Sequence, residues 1–334
     1  TENRFSIPSF IFIILLSNNV ASYIIYIKHL KGAIQMIGDM QKWTPNVAGI
    51  IEHAREIHPK TEIISRLVSG EIHRSNYEKV CIRSRKLASA LEKDGVKKGD
   101  VIATLALNTY RHLEMYYGIS GMGAITHTLN FRLHPEQAVY IINHAEDKII
   151  FVELPFVPIL EALQENLKTV EKYVVLCEVD EMPETTLKNA ISYEEYIQDG
   201  DENYSWPTLE DDAACALCYT SGTTGNPKGV LYSHKSNVIH AQAALTAMTI
   251  KPDDTILMVV PLFHVLAWGI PYFGPMNGLK LVMPGMQMEG EPLFELIDQE
   301  DVTLAFGVPT IWMGLLAYCR AVSYTHLRAH ETLN

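Results

Sequence analysis

Basic side chains are in short supply. The chain carries 27 Lys and Arg against 39 Asp and Glu, a formal net charge of −12 over 334 residues. Nucleic-acid binding needs a basic patch or stripe, so this balance argues against DNA or RNA as a partner. Cysteine is scarce as well: five, irregularly spaced, supply no disulfide framework and point to a reducing compartment, most simply the cytoplasm. Cys215 and Cys218 form a CxxC on paper. On the strand expected there, residues three apart face opposite sides, so core packing is expected rather than a shared metal or disulfide. Two common nucleotide signatures are missing. Gly118, Gly121 and Gly123 have the wrong spacing for GxGxxG, and Gly222 is followed by Pro227-Lys228 where a Walker A loop requires Gly-Lys. There is no internal repeat.

What the chain does have is the run Tyr219-Thr220-Ser221-Gly222-Thr223-Thr224-Gly225-Asn226-Pro227-Lys228-Gly229. Its glycines lack a Cβ and let backbone N–H groups approach phosphate oxygens closely. Thr220, Ser221, Thr223 and Thr224 add hydroxyls, and Lys228 adds a positive charge. Residues 213–219 form an apolar run short enough for a buried strand, so the loop leaves a strand end, where α/β sheets place ligands. A flexible linker would not set Pro and Lys among glycines directly after such a strand.

The run resembles the phosphate-loop signature of the adenylate-forming superfamily. Neighbouring segments are similar to its medium- and long-chain fatty acyl-CoA synthetase branch: Asn108-Thr109-Tyr110-Arg111-His112-Leu113-Glu114, Asn143-His144-Ala145-Glu146-Asp147, Leu231-Tyr232-Ser233-His234, Pro261-Leu262-Phe263-His264-Val265 with Ala267-Trp268, and Gly307-Val308-Pro309-Thr310-Ile311-Trp312. The matches span about residues 36–320. One departure is Phe131, where that branch usually has proline.

Three segments are expected. Residues 1–35 contain no methionine and are rich in Ile, Asn, Tyr, Phe and Lys, as translated AT-rich noncoding DNA is, with translation expected to start at Met36. A membrane anchor over residues 5–27 is the alternative, against which stand Pro8, Ser9, Ser17, Asn18, Asn19 and Ser22. The resemblance implies that residues 36–321 form an incomplete AMP-binding N-terminal domain. Residues 322–334 match the translation of a transposase-type sequencing adapter, so His326 and His330 are assigned no function.

Within 36–321, helical and strand patterns alternate and predict parallel-sheet layers covered by helices. Val47, Ile50, Ile51, Ala54 and Ile57 mark one helix face, and Ser75 with Glu78 reads as a capping box for a second helix. Residues 178–212, acidic and with Lys188 as the single Lys or Arg, are expected to be a solvated connector.

The resemblance implies a layered α/β/α large N-terminal domain of the acyl-CoA synthetase type, without the small C-terminal domain, the hinge and the later glutamate, aspartate and lysine motifs. The fragment alone is therefore expected to be inactive. The implied chemistry joins a fatty acid to ATP as acyl-adenylate with release of pyrophosphate, then to CoA as a thioester, with Mg²⁺ as cofactor. The implied roles are Thr220 as the magnesium-side hydroxyl, Ser221, Gly222, Thr223, Thr224 and Gly225 as the phosphate cradle, and Lys228 as a pyrophosphate contact. His264 is implied near the reacting carboxylate, Val265 and Trp268 at the nucleotide, Trp268 also as gate to an acyl tunnel, and Gly307, Val308 and Pro309 as the turn bordering that pocket. Alternatives left open are a core histidine and tryptophan on one helical face, a short sulfur-containing or aromatic acid as substrate, a luciferase-type monooxygenase, and a nonenzymatic nucleotide-binding fragment. Homodimerisation follows by analogy, and any membrane association is peripheral.

Overall fold

The computed structural model describes residues 43–220 and 226–322. The leader 1–35, the cradle residues Ser221, Gly222, Thr223, Thr224 and Gly225, and the tail from 323 onward lie outside the described residues. Along the chain run α1 (Val47–Ile57), β1 (Glu62–Arg66), β2 (Ile72–Asn76), α2 (Tyr77–Lys93), β3 (Val101–Leu105), α3 (Tyr110–Gly121), β4 (Ile125–Thr128) and α4 (Pro135–Ala145). Next come β5 (Ile149–Val152), α5 (Val157–Leu163), β6 (Lys172–Val175), β7 (Ala190–Ser192), α6 (Tyr193–Gln198), β8 (Ala214–Thr220), β9 (Lys228–Ser233) and α7 (His234–Ala247). The described part ends with β10 (Thr255–Leu257), α8 (Ile270–Asn277), β11 (Lys280–Met283), α9 (Gly290–Gln299), β12 (Leu304–Ala305) and α10 (Pro309–Ala321).

The strands form a seven-stranded sheet, ordered β7-β6-β5-β3-β4-β8-β9, and a five-stranded sheet, ordered β12-β10-β11-β1-β2. All pairings are parallel except β1–β2 and β8–β9, which place an antiparallel strand at one edge of each sheet. Strands β4 and β5 are buried along their whole length and β3 along all but its first residue, as expected where helices cover both faces. Alternate residues feed different cores. Ile102, Ile149 and Phe151 pack with α2 and α6, while Ala103, Ile150 and Val152 pack with α4 and α5. The five-stranded sheet does the same, with Ile63, Ile256 and Leu281 on one face and Ile64, Leu257 and Val282 on the other.

Three expectations change in detail. Ile57 closes α1 but is 60% exposed, so the buried face of that helix ends at Ala54. The second helix is capped one residue later than expected: Ser75 is taken up by β2, opposite Ile63, and Asn76 accepts from the Lys79 N–H instead. Residues 178–212 are more than a connector, because they contribute the edge strand β7 and helix α6, whose Tyr193 and Ile197 are buried. Charge holds α6 in place. Arg83 bonds Glu114 at 2.7 Å and Glu194 at 2.8 Å, Arg111 reaches Glu194 at 3.0 Å, and the Tyr193 hydroxyl donates to Glu114 at 2.8 Å. Acidic residues that read as a solvated face are therefore partners for arginines on α2 and α3.

Candidate functional site

The expected phosphate loop joins two antiparallel neighbours. β8 ends at Thr220, β9 begins at Lys228, and these two residues are paired across the ladder. A strand, not a helix, follows the loop, so the arrangement differs from nucleotide loops that open directly into a helix N-terminus. Thr220 and Lys228 are both exposed, and the Thr220 hydroxyl donates to the Lys228 carbonyl at 3.4 Å. Because β8 runs parallel to β4, and β4 to β3, the loop emerges at the carboxyl end of the sheet, the end where open α/β sheets bind ligands.

The same end carries Asn108, three residues past β3. Its amide donates to the carbonyls of Met258 (2.7 Å) and Val260 (2.8 Å), and its carbonyl accepts from the Leu262 N–H at 2.8 Å. One buried side chain thereby fixes the segment that follows β10 in the other sheet and leads to His264. Two α3 tyrosines support the same stretch, Tyr116 donating to the Leu262 carbonyl and Tyr117 to that of Pro271.

Past His264 the backbone turns left-handed. Val265, Leu266, Ala267 and Trp268 have φ of 46, 51, 47 and 56°, and Gly269 follows at 81°. A left-handed turn costs an L-residue roughly 1–2 kcal/mol, so four in succession are held only by their surroundings. Those surroundings are visible. The buried Cys218 thiol lies beside the backbone N–H groups of Val265 and Leu266, Ala267 N–H donates to the His264 carbonyl at 3.0 Å, and Leu266 and Ala267 are buried. Gly269 has no alternative, since a Cβ there would stand 2.5 Å from His240 Nδ1. Because Cys218 lies two residues before Thr220, this contact joins the turn to the strand that carries the phosphate loop. The picture of a core histidine and tryptophan on one helical face does not hold: the turn is left-handed, His264 is exposed, and Val265 and Trp268 are 47% and 40% exposed.

Trp268 borders a cavity of about 390 Å³, with Ile270, Phe273, Phe306, Met248 just past the end of α7 and, from α7 itself, His240, Ala243, Ala244 and Ala247. The α7 residues follow i, i+3, i+4 and i+7 spacing, so one helix face forms a wall whose centre is alanine. Phe306 leads directly into Gly307, Val308 and Pro309, the turn into α10. A Cβ on Gly307 would stand 2.8 Å from Val259 Cγ2 and 2.9 Å from the Trp312 ring, so that glycine is required by close packing. Thr220 and Lys228 thus bound the loop after β8, while His264, Val265 and Trp268 follow β10 and the Gly307–Pro309 turn follows β12, with Trp268 and Phe306 lining one cavity. Cys215 and Cys218 are both buried with separate partners, Asn237 for the first and Thr128 for the second.

Asn108, Tyr116 and Tyr117 had no assigned role in the sequence. A polar residue directly after an apolar strand was the available signal for Asn108; for the tyrosines there was none, because their acceptors lie about 150 residues away.

Residues 51–332 match the profile of the AMP-binding enzyme family. The chain belongs to that family. It is 46% identical over 284 residues to a medium-chain-fatty-acid–CoA ligase of Ectopseudomonas oleovorans, covering 84% of this chain and 52% of that protein. Similar figures relate it to a 3-methylmercaptopropionyl-CoA ligase of Ruegeria lacuscaerulensis (45%, covering 85% and 53%) and a long-chain-fatty-acid–CoA ligase of Thermus thermophilus (41%, covering 84% and 50%). The chain therefore spans about half the length of the curated relatives it matches. Among solved structures, an anthranilate CoA ligase bound to anthranoyl-AMP superposes with a TM-score of 0.74 at 22% identity, covering 83% of this chain and 52% of that one. That likeness bears out the layered α/β fold. Among the described residues no helix is long and apolar enough to cross a membrane.

Proposed function

We propose that this chain is part of an AMP-forming acyl-CoA ligase acting on an apolar, unbranched carboxylic acid. One observation carries the reading: the strand that delivers the phosphate loop touches, through Cys218, the turn that places Trp268 at the mouth of an apolar cavity. Carboxylate and α-phosphorus must meet between a polyphosphate site and an acyl site, and this contact supports a reading in which the two are neighbours. Attack of the acid's carboxylate on ATP gives acyl-adenylate and pyrophosphate, and the CoA thiolate then displaces AMP. The first step concentrates negative charge. Lys228 and the amides and hydroxyls of 220–225 stabilise it by preorganised electrostatics, so little reorganisation is needed as charge develops.

Magnesium fits as a phosphate-borne ion. No group of three His, Cys, Asp or Glu among the described residues could hold a metal alone, whereas Mg²⁺ typically takes one or two protein ligands plus phosphates and water. The Thr220 hydroxyl would hold it, and the ion would neutralise charge on the β- and γ-phosphates. His264, exposed at the entrance to the left-handed turn, orients the carboxylate. Trp268 closes the acyl cavity, and the strain in residues 265–268 makes that turn the element that moves when it opens.

The test is a substrate panel with the full-length protein, following CoA thioester formation on unbranched acids of increasing length, on 3-methylmercaptopropionate and on benzoate. Each methylene seated in the cavity contributes about 0.8 kcal/mol, so kcat/KM is expected to rise about fourfold per carbon until the cavity is full. A preference for 3-methylmercaptopropionate or benzoate would replace the fatty-acid reading, and the 45% identity to the Ruegeria ligase makes the first of these the alternative to exclude. Trp268→Ala is expected to flatten the length profile and change the rate of acyl entry; an unchanged profile and rate would remove the gate assignment.

A further inference from the structure

Beneath the phosphate loop lies a buried cluster to which the proposed reaction assigns no role. His127 on β4 and Asp147 just after α4 are both fully buried, and His127 Nδ1 lies 2.8 and 3.0 Å from the two Asp147 carboxylate oxygens. Asp147 is itself fixed, its N–H donating to Ile142 and its carbonyl accepting from Thr169 at 2.9 Å. His127 Nε2 is buried with no hydrogen-bond partner among the described residues. An unpaired polar atom in a core costs about 1–3 kcal/mol, so simple packing is a poor account of this imidazole.

What the pair faces is Tyr219. The Tyr219 ring centroid is 5.1 Å from that of His127, and its hydroxyl is 2.6 Å from His144 Nδ1 on α4, with Tyr140 stacked on His144. Burial and the Asp147 charge push the Tyr219 phenol up to about 12; it stays protonated and hydrogen-bonds to His144. Its other side covers the return strand. Gly229 is the partner of Tyr219 across the β8–β9 ladder, and a Cβ on Gly229 would stand 3.2 Å from Tyr219 Cζ. Aromatic cover of a cross-strand glycine pins register. Tyr219 precedes Thr220, and Gly229 follows Lys228, so this one ring spans both ends of the loop.

We propose that Tyr219, braced by the His127–Asp147 pair and by His144, is a positioning residue for the polyphosphate site, fixing where both ends of the phosphate loop leave the sheet. The inference rests on the reading of that loop as an ATP site. Donors aimed at developing charge help only when held in place beforehand, and a loop whose ends shift by an ångström loses that advantage. The acyl cavity is walled by other elements, so the effect belongs to the nucleotide and not to the acid.

Two readouts on the full-length protein test this: KM for ATP and for the acid, and amide hydrogen exchange across residues 219–233. Tyr219→Leu and His127→Leu are expected to raise the ATP KM about tenfold while the acid KM stays within about twofold, a loss near 1.4 kcal/mol confined to one substrate. Tyr219→Phe keeps the ring over Gly229 and is expected to give only about a threefold rise. Exchange is expected to quicken at 219–220 and 226–233 and to stay native elsewhere. An unchanged ATP KM, or an acid KM that moves in step with it, overturns the proposal. Should the leucine variants not fold, Tyr219→Phe still has to show its threefold rise. If the wild-type protein forms no acyl-adenylate, the functional reading fails, and exchange at the loop ends alone decides: native exchange in the variants overturns the bracing too.

Discussion

Asn108→Leu is expected to lower the stability of this chain by about 4 kcal/mol, because it leaves the carbonyls of Met258 and Val260 and the N–H of Leu262 without the partner that satisfies all three. Leucine is close to asparagine in size, so the loss is one of hydrogen bonding and not of volume. For a domain of this size the melting temperature is expected to fall by about 8–16 °C, read by thermal unfolding of wild type and variant under identical conditions. Asn108→Asp separates the groups further. It keeps an acceptor for Leu262 but loses both donors and buries a charge, so it is expected to be no more stable than the leucine variant. A fall of less than about 1 kcal/mol for Asn108→Leu would mean that Tyr116 and Tyr117 hold the 258–271 segment without it. In the full-length protein the same substitution is expected to reduce turnover by more than the stability loss explains, since the segment it frees carries His264.

Acid is expected to strip stability through two buried histidines. His112 Nδ1 donates to the Leu107 carbonyl and its Nε2 sits 3.0 Å from the Thr104 hydroxyl, while His234 Nδ1 accepts from the Val47 N–H at 3.3 Å. Neither can take a second proton without turning a donor onto a donor or placing a charge in the core, and burial lowers both to about 4. A histidine depressed in the folded state favours folding fully above its unfolded pKa near 6.5, and that contribution is lost as pH falls from there towards 4. Between pH 7 and pH 5 each residue is expected to withdraw about 2 kcal/mol.

Glu153 works the other way. Buried, with the Leu107 N–H on its carboxylate, it is raised to about 7, so it favours folding at acid pH and loses that contribution as pH rises through 4.5 to 7. The whole-protein pH profile mixes these opposing signs, and variants isolate them. His234→Asn retains an acceptor for Val47 and His112→Asn a donor for Leu107. In each case the stability gap to wild type is expected to shrink by about 2 kcal/mol on going from pH 7 to pH 5, about 4–8 °C in melting temperature. A gap that stays constant would show that the histidine takes up its proton in the native state over the same pH range as in the unfolded chain.

The alternation of elements was legible in the sequence because its signals are local. The apolar run ahead of Thr220, Pro135 opening α4 and Ser233 capping α7 each act within a few residues, and helix and strand periodicities need no knowledge of distant partners. The loop at 219–229 stood out for the same reason: its glycines, hydroxyls and lysine sit together directly after a strand, which is what its reading as a polyphosphate site rests on. Ser75 shows where local reasoning stops. It has the chemistry of a cap, but pairing with β1 claimed it and passed the cap to Asn76.

By itself, then, the sequence determined the family and the layered α/β class, and singled out the 219–229 loop as the candidate phosphate site. Only the tertiary structure decided that residues 178–212 supply an edge strand and a helix whose Glu194 answers Arg83 and Arg111, and that the backbone after His264 runs left-handed. It alone brought Asn108 to carbonyls 150 residues away and set Tyr219 on a buried histidine–aspartate pair. The physical reason is common to all four. Parallel strands are joined by crossovers, so the partners of a side chain at a strand's carboxyl end are set by sheet order and register, and neither is written in the residues beside it.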